Sequence, residues 1–384
     1  MSKQHASITP EMIERQRSRI GIPWSPAEPY YNTQATRDTI RHFCYGIGDD
    51  NPLFTSQEYA RKNRYGKLMA PPSFLYSVWW PFGGLGMPGV HAWHSGNDWE
   101  FYYPLCEGDE FTFTNTLVNV VEKESKMAGR TVIQHADAVY KNQKGLTVAK
   151  ARGWAVWAGR AEAGAMKKYA NIPEARYTPD ELKTIDEAYE KEEIRGANPR
   201  YWEDVKEEDI VGPVVKGPLS MRDIIAATMG GGSPFMRAHK IAYKYEKRHP
   251  AIRMIDSQTG EQDVPELVHM EDSRAQEIGI PGAYDYGWQR ISWLFNLITN
   301  WMGDDGFITR LYAELRLFNV VGDTTWLKGK VIRKYQEAGD YLVDIECRGE
   351  NQRGEITMPG RATVALPSRK HDNWPVLERI TRMK

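Results

Sequence analysis

Hydrophobic and polar positions change period twice along the chain. Thr36-Arg37-Asp38-Thr39-Ile40-Arg41-His42-Phe43-Cys44-Tyr45 carries a helical apolar stripe behind a Thr N-cap, and the Gly/Asp/Asn/Pro loop at 46–52 stops it. A second apolar stretch, Phe74–Trp80, is entered through Pro71-Pro72. The period then shortens. Glu110–Val118, Thr131–Tyr140 and Thr147–Trp157 are β-branched, aromatic and partly alternating, which predicts strands. Short turns between them exclude parallel crossovers, so the fold class is α+β with an antiparallel sheet. Beyond a charged helix opening at Thr178-Pro179-Asp180-Glu181, the order recurs. A helix starts at Ser220 and stops at Gly230-Gly231-Gly232-Ser233-Pro234. An apolar helix over Trp288–Met302 follows, then strands at 311–318, 325–335, 341–348 and 355–366.

Two turn motifs mark this recurrence. Gly108-Asp109 and Gly322-Asp323 lie 214 residues apart; Asn142-Gln143-Lys144-Gly145 and Asn351-Gln352-Arg353-Gly354 lie 209 apart. Each motif alone is ordinary turn chemistry. Both in one order at nearly one offset indicate a duplicated domain. The division is 1–160, a charged helical connector at 161–200, and 201–384, the second copy carrying an insertion near 237–268. The basic run His239–His249 in that insertion reads as a solvated helix face or as a phosphate site.

The 384 residues are enough for two cores, and a formal charge of -1 gives no reason to expect nucleic acid or an acidic membrane as partner. Three cysteines without metal spacing, and no apolar run at Met1–Ala6 or of membrane length, point to the cytoplasm. Thirteen Trp and 20 Tyr fit large cores or a wide apolar pocket.

The richest local motif is Gly48-Asp49-Asp50-Asn51-Pro52-Leu53-Phe54, a helix end that presents a carboxylate and an amide. By itself it reads as a capped turn. With the helix entry and the sheet carrying Pro-x-x-x-Gly-Asp, it resembles the MaoC-like acyl-CoA dehydratases and R-specific enoyl-CoA hydratases. The resemblance covers nearly the whole chain as two tandem copies and implies a double hot-dog fold, each sheet wrapping a central helix, here Phe74–Trp80 and Trp288–Met302. It further implies reversible hydration of an enoyl-CoA by an Asp/His pair in Gly-Asp-x-Asn-Pro-x-His, with a helix-entry N–H on the thioester oxygen. Acyl-CoA is then the partner, in a homodimer or larger homo-oligomer, with no cofactor or metal.

This chain departs from that signature in both halves. Phe54 stands where the first His belongs, and Gly230–Met236 lacks carboxylate and His. The insertion leads into Asp263-Val264-Pro265-Glu266-Leu267-Val268-His269, so a displaced pair, Asp263 or Glu266 with His269, is expected. The candidate catalytic residues are His269, Asp263, Asp49 and Asn51. The candidate substrate-binding residues are Tyr286, Gly287 and Asp285 at the second helix entry and Ser73 at the first. His42 reads as a packing or surface residue and His135 as a half-exposed strand residue; His91 and His94 form a pair without a third metal ligand. A thioesterase and a non-catalytic acyl-CoA-binding subunit are the alternatives on the same fold.

Overall fold

The computed structural model describes residues 7–83, 86–87, 89–125, 129–159, 172–255 and 259–383. The N-terminal hexapeptide and the connector up to residue 171 lie outside these. Ten strands form one antiparallel sheet: β1 (Pro23–Trp24), β2 (Val90–Phe101), β3 (Phe111–Ser125), β4 (Gly129–Asn142), β5 (Thr147–Gly159), β6 (Ile210–Lys216), β7 (Phe307–Glu314), β8 (Thr325–Glu337), β9 (Asp340–Asn351) and β10 (Ile356–Ala365). Their order is β1-β3-β4-β5-β2-β7-β10-β9-β8-β6. Read outward from the central β2–β7 pair, the two halves have the same topology. This is the double hot-dog architecture.

The repeated turns share a set of matching hydrogen bonds. Gly108 N–H donates to the Ala35 carbonyl at 2.8 Å, and Gly322 N–H to that of Leu219 at 2.7 Å. Asp109 accepts from Cys106 N–H, and Asp323 from Val320 N–H. The Asn142 and Asn351 side chains accept from Lys144 and Arg353 N–H, each at 3.0 Å. Gly108 and Gly322 share φ values of 92° and 97°, which need glycine. The helices α1 (Arg37–Ile47) and α2 (Met221–Gly231) correspond in the same way. Gly46 lies against the Ala226 carbonyl, where an added Cβ would come within 2.7 Å, and Gly230 lies against the His42 carbonyl. Glycine at both positions lets the two backbones touch.

The insertion contributes helix α3 (His239–Arg248). Helix α4 (Gly287–Met302) then runs through the core, with every side chain from Trp288 onward buried. Among the described residues the first half has no counterpart of that length. Phe74–Trp80 is not a helix: Pro72–Ser77 makes a short 3-10 segment, and the chain then extends. Carbonyls that would continue a helix are taken by neighbours. Ser77 accepts from Asn32 N–H at 2.9 Å, Trp79 from the Tyr140 hydroxyl at 2.7 Å, and Pro81 from Asn97 Nδ2 at 2.7 Å. The space a full helix would fill is left to Trp79, Trp80 and Phe82, which wall a cavity.

Candidate active site

One cavity of about 1170 Å³ runs between the two halves. Its walls include Trp24, Trp79, Trp80, Phe82, Trp93 and Trp157 from the first half. Glu266, His269, Tyr284, Tyr286 and Gly287 line it from the second.

Glu266 and His269 sit on one 3-10 turn, Pro265–His269. Residues three apart eclipse in a 3-10 helix, so both side chains leave the same face. They meet at Tyr286. The His269 ring packs on the Tyr286 ring with centroids 4.2 Å apart, and the Tyr286 hydroxyl hydrogen-bonds the Glu266 carboxylate. His269 Nδ1 lies 2.9 Å from the Tyr284 carbonyl oxygen. A carbonyl only accepts, so Nδ1 carries the proton and Nε2 keeps its lone pair. Burial pushes the His269 pKa down to about 4, which leaves a neutral imidazole at pH 7. Burial pushes Glu266 up to about 7, against hydrogen bonds from Ser233 and Tyr286 that pull it down. Near neutrality this carboxyl exchanges a proton readily.

Ser233 explains how the second half recovers a carboxylate. In the first half Gly48 ends α1 with φ 65°, and Asp49 Oδ1 accepts from Asn51 N–H at 3.0 Å. In the second, Gly232 ends α2 with φ 72°, and Ser233 Oγ accepts from Phe235 N–H at 3.0 Å. Ser233 therefore stands where Asp49 stands. Its hydroxyl donates to Glu266, so the insertion returns an acid to the position that lost one.

Beneath this cluster, Asp285 and Arg290 form a buried ion pair, with Arg290 Nε donating to Asp285 at 2.8 Å. Asn319 donates to the same carboxylate at 3.0 Å, and Arg290 caps the Leu317 carbonyl. Asp285 lines the cavity, yet its oxygens are engaged in fixing the entry to α4. Gly287, the first residue of α4, meets His94 from β2: a Cβ here would come within 2.6 Å of His94 Nδ1. His94 Nδ1 accepts from Trp80 Nε1 at 3.3 Å, and its buried Nε2 has no partner among the described residues. Burial pushes its pKa down to about 3.

The structure thus brings His269, Tyr286, Gly287 and Asp285 together, with Glu266 as the carboxylate. Asp263 does not line the cavity; its Oδ1 accepts from Val264 N–H, and the eclipsed spacing favours Glu266. Asp49, Asn51 and Ser73 do not line it either. Asp49 and Asn51 form successive turn caps, Asn51 Oδ1 accepting from Leu53 N–H at 3.0 Å. Burial raises Asp49 to about 6, and Phe54 beside it is buried. Ser73 is fully buried behind Pro71 and Pro72. Those prolines stand where Tyr286 and Gly287 stand in the second half, and have no N–H to offer a substrate oxygen. His94 is the residue that sequence reasoning passed over. Its strand is a mixture of His, Trp, Ser, Gly and Asn without clean alternation, and the visible signal was only the His-x-x-His spacing.

Known proteins share the fold and part of the first half. The FAS1-like dehydratase domain region matches residues 27–151. A UPF0336 protein of Parafrankia sp. is 31% identical over 110 residues, covering 26% of this chain and 70% of that protein. Among solved structures, a MaoC-like dehydratase aligns with a TM-score of 0.63 at 14% identity, covering 91% of this chain and 99% of its own. A Mycobacterium tuberculosis protein described as a double hot-dog fold aligns with a TM-score of 0.54 at 9% identity, covering 90% and 96%. Through its first half the chain belongs with the UPF0336 proteins, and over 91% of its length it has the fold of the MaoC-like dehydratases.

Proposed function

We propose that this protein is a hydro-lyase that reversibly adds water to an enoyl-CoA, giving the 3-hydroxyacyl-CoA, at a single site in the second half. One observation carries the reading. Glu266 and His269 leave one face of one turn, flank Tyr286, and share a cavity with the N-terminus of α4.

In hydration, His269 Nε2 takes a proton from water as its oxygen attacks the β carbon. The double-bond electrons move to the thioester oxygen as an enolate. The first-turn amides of α4, beginning at Gly287, have no intrahelical acceptor and point positive dipole at that oxygen. Glu266, protonated, then delivers its proton to the α carbon. Dehydration runs the same steps backwards. The thioester supplies the acidity of the α position, so the reaction calls for no redox cofactor or metal. The aromatic walls suit a bulky acyl group.

The same reading takes 1–160 and 201–384 as the two halves, joined by 161–200, of a cytoplasmic homodimer or larger homo-oligomer. Loss of enoyl absorbance with crotonyl-CoA and then bulkier enoyl-CoAs tests it. Release of free thiol instead would assign a thioesterase.

A further inference from the structure

The inserted helix α3 is charged in a way the hydration chemistry does not use. From His239 to His249 it carries Lys240, Lys244, Lys247 and Arg248 against Glu246 alone, a net +3 with the histidines neutral. Glu246 is already paired with Arg253 at 3.4 Å. Lys240 and Lys244 are exposed and make no ion pair among the described residues. Arg237, Tyr245, Arg248 and His249 line the same cavity as His269, so the basic helix stands over that cavity and not on a remote surface.

Two guanidinium groups there converge on a single carboxylate from the other half. Arg248 Nη1 lies 3.0 Å and Arg237 Nη1 3.5 Å from the two oxygens of Glu28. Glu28 is itself half exposed, so both arginines are within reach of solvent and of an incoming anion. Arg237 is held over the Tyr245 ring at 4.2 Å, and the His249 ring packs on Tyr245 at 4.4 Å. A pair of guanidiniums beside two aromatic rings in tilted contact matches a phosphorylated nucleotide: forks for phosphate oxygens and a ring face for a base.

On the thioester reading above, we infer that Arg237 and Arg248 bind the phosphates of the coenzyme A nucleotide, displacing Glu28, which occupies their place as an internal anion in the free protein. The exposed His249 ring, backed by Tyr245, takes the adenine. The insertion then does two jobs, since Glu266 and His269 lie at its far end: it supplies the acid–base pair and holds the carrier.

The test measures equilibrium binding of coenzyme A, 3′-dephospho-coenzyme A and pantetheine to the full-length chain by calorimetry, without turnover. Arg248→Gln and Arg237→Gln are each expected to weaken coenzyme A roughly 10- to 100-fold, the scale of a lost charge-assisted hydrogen bond, and to leave pantetheine unchanged. Arg248→Lys should recover part of the loss. Glu28→Gln removes the competing anion and should tighten coenzyme A severalfold. Equal affinity for coenzyme A in the wild type and both arginine variants would overturn the assignment, as would a parallel loss for pantetheine. Arginine-dependent capture of a phosphopantetheinylated carrier protein, with no affinity for free coenzyme A, would also overturn it. Because no turnover is read, arginine-dependent binding in a protein that hydrates nothing would sink the hydro-lyase reading and leave this site standing. Hydration with arginine-independent binding would do the reverse.

Discussion

Replacing Glu266 with Gln separates two consequences of burying one carboxyl. Gln resembles the protonated acid in shape and can still accept from Ser233 and Tyr286, but it cannot deliver a proton. The rate of hydration should fall by about two to four orders of magnitude. Stability should move the other way. Burial lifts the Glu266 pKa from an ordinary 4.5 to about 7. A carboxyl whose folded pKa is raised contributes its full share below pH 4.5 and loses it as pH rises through about 7. Complete ionisation therefore costs the fold on the order of 3 kcal/mol. Glu266→Gln escapes that cost, so its thermal midpoint should exceed that of the wild type by several degrees at pH 8 and match it at pH 4.5. Wild-type kcat/KM should form a bell, rising as His269 loses its proton near 4 and falling as Glu266 loses its own near 7. Scanning calorimetry at the two pH values and a pH–rate profile read these effects. Retained turnover, or an equal stabilisation at both pH values, would exclude Glu266 as a buried proton donor.

Other perturbations sort the halves and the fold. Asp49→Ala removes a turn cap outside the cavity and should cost about 1 kcal/mol in denaturant unfolding while turnover persists in the folded protein; loss of turnover there would move the active site to the first half. Gly230→Ala pushes a methyl into the His42 carbonyl and should destabilise by about 1–3 kcal/mol, again read by denaturant unfolding. Asp285→Ala strands Arg290 in the core and should cost about 3–5 kcal/mol, visible as a lowered unfolding midpoint.

Much of the fold was legible because it rests on backbone chemistry that has few sequence solutions. Gly108 and Gly322 need positive φ, and Asn142 and Asn351 cap identical turns, so selection of turn residues left the duplication in plain view. The second central helix was legible because nine of the fifteen positions of Trp288–Met302 are apolar and no Gly or Pro interrupts them. The first was misread: periodicity cannot register that Tyr140 and Asn97, far along the chain, take the carbonyls of Trp79 and Pro81. The strands Val90–Phe101 and Ile210–Lys216 were missed for a related reason, since His, Ser and Gly in one and Gly212-Pro213 in the other obscure alternation. At the site, His269 was singled out by its place before a glycine helix entry, and the structure puts it on the cavity wall. The choice of Glu266 over Asp263 needed the eclipsed 3-10 turn, and the part of Ser233 needed its correspondence with Asp49 in space.

On the proposed function, Glu266 and His269 act as a proton-transfer pair on an enoyl thioester. The most direct measurement is hydration of a panel of enoyl-CoAs by wild-type protein and by His269→Gln, followed by loss of enoyl absorbance, with folding checked by circular dichroism. Turnover is expected in the wild type, with a loss of about two to four orders of magnitude in a variant that stays folded. Full activity in folded His269→Gln would contradict it.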